Sequence, residues 1–76
     1  SLASLRILGK ALDAMTLHLH ATVASIVISR AMREETGARM SDMDGIVEYA
    51  RSLATAEIAL LLVQEGSSVR VSIRSK

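Results

Sequence analysis

The sequence predicts a small α/β domain, and three observations carry that prediction. Apolar residues recur at helical spacing near the start and again in the middle of the chain. Two short stretches are dense in β-branched or aliphatic residues, and the last segment alternates apolar with cationic residues at period two. The order α-β-α-α-β-β implies three helices and a mixed sheet of about three strands. This is a three-layer-like unit, incomplete because its last strand has no evident cover.

Leu5, Leu8, Leu12 and Met15 form a stripe that predicts an amphipathic helix over residues 2–17. Gly9 lies within it, as a weak point or a place of close packing. Residues 19–28 are rich in Thr22, Val23, Ile26, Val27 and Ile28, which predicts a strand buried on both faces. Ser29 is placed to cap a short helix over 30–36 that Gly37 ends. Ser41 and Asp44 have capping-box spacing and predict a third helix from Ser41, with Met43, Ile46, Val47, Ala50 and Leu53 on its apolar face and Gly45 inside it. Residues 58–63 are uniformly aliphatic and predict a central strand covered on both faces. Glu65-Gly66-Ser67-Ser68 is turn chemistry, after which Val69, Val71 and Ile73 alternate with Arg70, Ser72 and Arg74 as the second arm of a hairpin.

Composition removes several classes of function. The chain has 76 residues, so it forms at most one small domain, burying about 60% of the surface its unfolded form exposes. Half the residues are apolar, which argues against disorder, yet Tyr49 is the only aromatic residue and leaves little for base stacking. A net charge of +1 gives no field directed at nucleic acid or acidic membranes. Without cysteine there are no disulfides, thiolate metal sites or Cys nucleophile, which fits a reducing compartment. The first residues do not read as a signal peptide, and the longest apolar stretch is too short for a membrane span.

The candidate chemistry is sparse. Arg70, Ser72, Arg74 and Lys76 share one face of the last strand, a plausible binder of phosphate or carboxylate. Pattern alone favours an ordinary solvated face, because edge strands carry cations that block aggregation. His18 and His20 could share a face but lack a third metal ligand. Asp42 with Asp44, and Glu34 with Glu35, do not converge as acid–base pairs and read as capping and solvation. Ser72 has no His in a readable triad, the four methionines read as core filler, and no phosphate-binding glycine loop occurs. No catalytic residue and no metal ligand is assigned within this segment.

Longer stretches carry a resemblance. Asp44-Gly45-Ile46-Val47-Glu48-Tyr49-Ala50-Arg51-Ser52-Leu53 resembles the "egivnyarsi" segment of DHH-family phosphoesterases. An aliphatic strand follows it, Glu57-Ile58-Ala59-Leu60-Leu61-Leu62, and then Val69-Arg70-Val71-Ser72-Ile73-Arg74-Ser75-Lys76, which resembles "vkvSlRSk"; upstream, Glu35-Thr36-Gly37-Ala38 resembles "etga". Within the family the closest subgroup is the oligoribonuclease and 3'-phosphoadenosine 5'-phosphate phosphatase type, also described as exopolyphosphatase-related.

The resemblance implies a cytoplasmic, Mn²⁺-dependent phosphoesterase that hydrolyses short oligoribonucleotides or nucleotide 3'-phosphates. Two Mn²⁺ ions would sit in a separate catalytic domain bearing Asp-His-His. Residues 1–17 would be the connector from that domain, and residues 18–76 the N-terminal part of the DHH-associated substrate-binding domain. Arg74 would bind substrate phosphate or sugar, with Ser72 and Ser75 shaping the strand. Neither Asp-His-His nor the family's G-G-G-H loop is in this sequence, so the segment alone is expected to be inactive and to associate through its exposed strand, as a homo-oligomer or swapped species. The alternatives are a non-enzymatic dimerisation or regulatory module, and the same domain in a cyclic-dinucleotide phosphodiesterase or a RecJ-like exonuclease.

Overall fold

Ser1 opens the chain as a helix cap, its side chain accepting from the Ser4 N–H at 3.2 Å. In the computed structural model, which describes residues 1–53 and 55–76, the elements are α1 (Leu2–Asp13), β1 (Thr16–His18), β2 (Val23–Ile28), α2 (Arg30–Thr36), a 3-10 turn (Met40–Met43), α3 (Ile46–Arg51), β3 (Ile58–Glu65) and β4 (Ser68–Ser75). The strands form one mixed sheet in the order β1-β2-β3-β4. Its centre is the parallel pair β2–β3, joined through α2 and α3, and both outer pairs are antiparallel. The α/β class and the mixed sheet are as the sequence predicts, with a fourth strand added.

That strand, β1, occupies residues assigned to the end of the first helix. Helix α1 stops at Asp13, and the chain reverses through Leu19, His20 and Ala21, whose φ angles are 51°, 55° and 65°. Left-handed backbone costs roughly 1–2 kcal/mol per non-glycine residue. The Thr22 hydroxyl donates to the Leu19 carbonyl at 2.7 Å and holds the reversal. The expected start of β2 at residue 19 therefore moves to Val23.

Helix α1 also lies rotated from the expected stripe. Ile7 and Ala11 are buried, Leu8 and Met15 pack at the margin, and Leu5 and Leu12 are exposed. Two polar contacts accompany this orientation: the Ser4 hydroxyl donates to Asp42 Oδ1 at 2.5 Å, and Lys10 Nζ pairs with Glu35 at 2.7 Å. Gly9 has no neighbour that a Cβ would meet, so it is not a point of close packing.

The third predicted helix is interrupted. Residues 40–43 form the 3-10 turn, Asp44 is extended, and Gly45, at φ 87°, turns the chain into α3. The expected Ser41–Asp44 capping box is absent from the described hydrogen bonds. Asp42 instead accepts the Arg39 backbone N–H at 2.8 Å.

All three helices cover the same face of the sheet. Ala24, Ile26 and Ile28 on β2 and Ala59, Leu61 and Val63 on β3 meet Ile7, Ala11, Met43, Ile46, Val47 and Ala50 in one core. Truncating Ile26, fully buried at its centre, costs about 2–5 kcal/mol. The expectation that both central strands are covered on both faces is not met. Among the described residues nothing packs on the second face, where Val27, Val69, Val71 and Ile73 are each more than half exposed. The described residues thus form two layers, with the helices on one face of the sheet.

Candidate functional site

Strand register decides which side chains of β4 face the helices. Arg70 pairs with Val63, Ser72 with Leu61 and Arg74 with Ala59, all three partners being core residues of β3. Directly opposed residues project to the same face of a sheet, so Arg70, Ser72 and Arg74 lie on the helix side. The apolar set Val69, Val71 and Ile73 lies on the bare side. This reverses what an edge strand guarded by cations would show: the face open to association carries no charge from β4.

The three polar residues border a cleft of about 230 Å³ between β4 and the segment that leads into α3. Met40, Met43, Val47, Leu61 and Val63 form its apolar walls, and Asp44 and Gly45 its rim. The break at Asp44–Gly45 places both residues at the edge of this space. Small-molecule pockets usually enclose about 300–1,000 Å³, so this cleft suits part of a ligand, such as a phosphate and its sugar.

Arg74 is held in place at the border. Its Nε–H donates to Glu48 Oε1 at 2.8 Å and its Nη1 to the Ile73 carbonyl at 2.9 Å. The other Glu48 oxygen accepts from Arg51 Nε at 2.9 Å and Nη2 at 2.7 Å. The two guanidinium groups, Arg51 first and then Arg74, hold the Glu48 carboxyl below its ordinary value of 4.5. Arg70 differs. Its side chain has no hydrogen-bond or ion-pair partner among the described residues.

Of the residues singled out in sequence, Arg74 and Ser72 come together in the cleft. Ser75, opposite Ile58, lies on the other face and does not join them. Lys76 Nζ donates to the Leu53 carbonyl at 3.2 Å. His18 Nε2 lies 2.9 Å from the Ser25 hydroxyl, and His20 is in the left-handed reversal. Glu35 is paired with Lys10 and Asp42 with Ser4, so neither acidic pair forms a site. Among the described residues no three His, Cys, Asp or Glu side chains are grouped to hold a metal, and no step is assigned to one here. None of the described helices is long and apolar enough to cross a membrane. Sequence reasoning missed the rim formed by Asp44 and Gly45, although an Asp-Gly pair is itself a turn signal.

Fold and cleft together define a two-layer α/β unit with an arginine-bordered cleft at its outer antiparallel strand. No protein-family model matches the chain, and no curated protein matches it. A solved structure does: an exopolyphosphatase-related protein from Bacteroides fragilis superimposes with a TM-score of 0.91 over 100% of this chain, at 21% sequence identity. The chain spans 22% of the length of that protein. At this identity the likeness establishes a shared fold.

Proposed function

We propose that this chain is a substrate-binding portion of a phosphoesterase acting on short oligoribonucleotides or nucleotide 3'-phosphates. The observation that carries the reading is the convergence of Arg70, Ser72 and Arg74 on one concave site walled by apolar side chains. Arginine offers a planar fork of donors suited to phosphate, and Ser72 adds a neutral hydroxyl between the two cations. Asp44 supplies an acceptor for a sugar hydroxyl or a base amino group. The exopolyphosphatase-related description of the structural neighbour supports a phosphate-bearing ligand in general. In this reading hydrolysis, with its Mn²⁺ ions, belongs to a separate catalytic domain, and Ser75 supports the strand without touching the ligand.

Calorimetric titration with a nucleoside 3'-phosphate tests the proposal. Arg74→Ala is expected to weaken binding by about tenfold, the loss of a charge-assisted contact. Equal affinities for the variant and the parent chain would overturn the role given to Arg74.

One observation favours a second reading, a dimerisation or regulatory module. The bare face of β4 exposes Val69, Val71 and Ile73 together. That reading requires association without any response to nucleotides.

A further inference from the structure

Helix α1 carries two apolar faces. Ile7 and Ala11 point into the core, and on the opposite side Leu2, Leu5, Gly9 and Leu12 recur at helical spacing. At 3.6 residues per turn these four fall within a sector of about 80°, directed away from the sheet. Leu2 and Leu5 are 61% and 67% exposed, and Leu12 is 39% exposed. Three leucines aligned on a 12-residue helix make a contiguous stripe rather than scattered surface residues. A helix that is apolar on opposite sides is one built to be covered on both.

The pattern of the stripe names its partner, because it complements itself. Gly9 lies near the middle with open space around it, so a second backbone can approach closely there. A two-fold axis at Gly9 runs a second α1 antiparallel to the first and sets Leu5 of each beside Leu12 of the other. The charges then match as well. Arg6 and Asp13 lie on one flank of the stripe, and in an antiparallel pair that flank meets its own counterpart, Arg6 against Asp13 at both ends. A parallel pair would set it against the flank of Ser1 and Leu8, which offers no opposing side-chain charge. Neither the Arg6 nor the Asp13 side chain has an ion-pair partner among the described residues, whereas Lys10, farther round, is paired with Glu35.

We infer that the outer face of α1 is an interface for a second copy of this chain, the two helices antiparallel about Gly9 and joined by Arg6 and Asp13. A closed contact between identical patches requires this self-complementarity. None of these residues lines the arginine-bordered cleft, so the inference stands apart from the phosphoester reading.

Sedimentation equilibrium tests it in the Val71→Lys chain, where association through the bare sheet face is blocked and a dimer is expected to remain. Arg6→Asp or Asp13→Arg alone sets like charges together and is expected to weaken that dimer by about tenfold. Combining the two restores opposite charges with their positions exchanged and should return the dimer constant to within about threefold. Leu5→Asp, which breaks the stripe, should leave a monomer, and a dispersed amide spectrum for each variant confirms its fold. A Val71→Lys chain that stays monomeric up to millimolar concentration overturns the second copy as occupant and leaves the stripe to a helix of different sequence. A dimer indifferent to Leu5→Asp or to both single charge reversals overturns the α1 contact. One weakened by the single reversals but not recovered by the pair overturns the antiparallel arrangement.

Discussion

The Nε–H of Arg74 donates to Glu48 Oε1 at 2.8 Å, tying the outer strand to a helix residue 26 positions earlier. The contact aims the arginine across the cleft border, and Arg51 shares the same carboxylate. Glu48→Ala is expected to release the Arg74 guanidinium. Its Nε–H resonance should lose protection from solvent exchange and move toward the position of a free arginine. An unchanged resonance would show that the pair does not hold Arg74.

Acid should weaken the same tie. The folded-state carboxyls of Glu48 and Asp42 lie below their ordinary values of 4.5 and 3.8, for Asp42 chiefly through the Ser4 hydroxyl and then the Arg39 N–H. A group whose pKa falls on folding stabilises the fold above its unfolded pKa, and that contribution is lost as pH falls through the folded pKa. Thermal midpoints should therefore drop as pH is lowered from about 4.5. Asp42→Asn combined with Glu48→Gln should flatten that limb of the profile. A limb as steep in the double variant as in the parent chain would assign the acid loss to other groups.

Two glycines should respond to alanine in opposite directions. Gly45, at φ 87°, sits where an L side chain is strained, so Gly45→Ala should lower stability by about 1–2 kcal/mol. Gly9 lies in a helix, has no positive φ and has open space around it, so Gly9→Ala should raise stability by about 0.5–1 kcal/mol. Urea midpoints of the two variants check both signs. A stabilising Gly45→Ala would contradict the interrupted helix and with it the cleft rim.

The 76-residue chain is expected to self-associate through its uncovered sheet face, because Val69, Val71 and Ile73 are all exposed there beside an unpaired strand edge. Val71→Lys should shift its sedimentation toward the monomer. A monomeric parent chain over a wide concentration range would remove this expectation.

The strands and the hairpin were legible in sequence because aliphatic density and period-two alternation report directly on a sheet. Alternation alone does not say which set meets the helices. For Val69 to Arg74 the answer depends on register with β3, and a shift by one residue would exchange the two faces. The rotation of α1 was hidden for a similar reason: Leu5 and Leu12 suit a core, yet Ile7 and Ala11 are the residues turned inward, with Ser4–Asp42 and Lys10–Glu35 as contacts beside them. Strand β1 is three residues long, below what periodicity can register. In the cleft, Arg74 and Ser72 could be named from the strand, whereas Glu48 enters only through a contact between distant segments.

The most direct test of the central claim is an amide chemical-shift titration of the isotope-labelled chain with a nucleoside 3'-phosphate. The phosphoester reading requires shifts concentrated at Asp44, Gly45, Arg70, Ser72 and Arg74, saturating with ligand, with Val69, Val71 and Ile73 moving less. Shifts absent from the cleft at millimolar ligand, or confined to the bare sheet face, would contradict it.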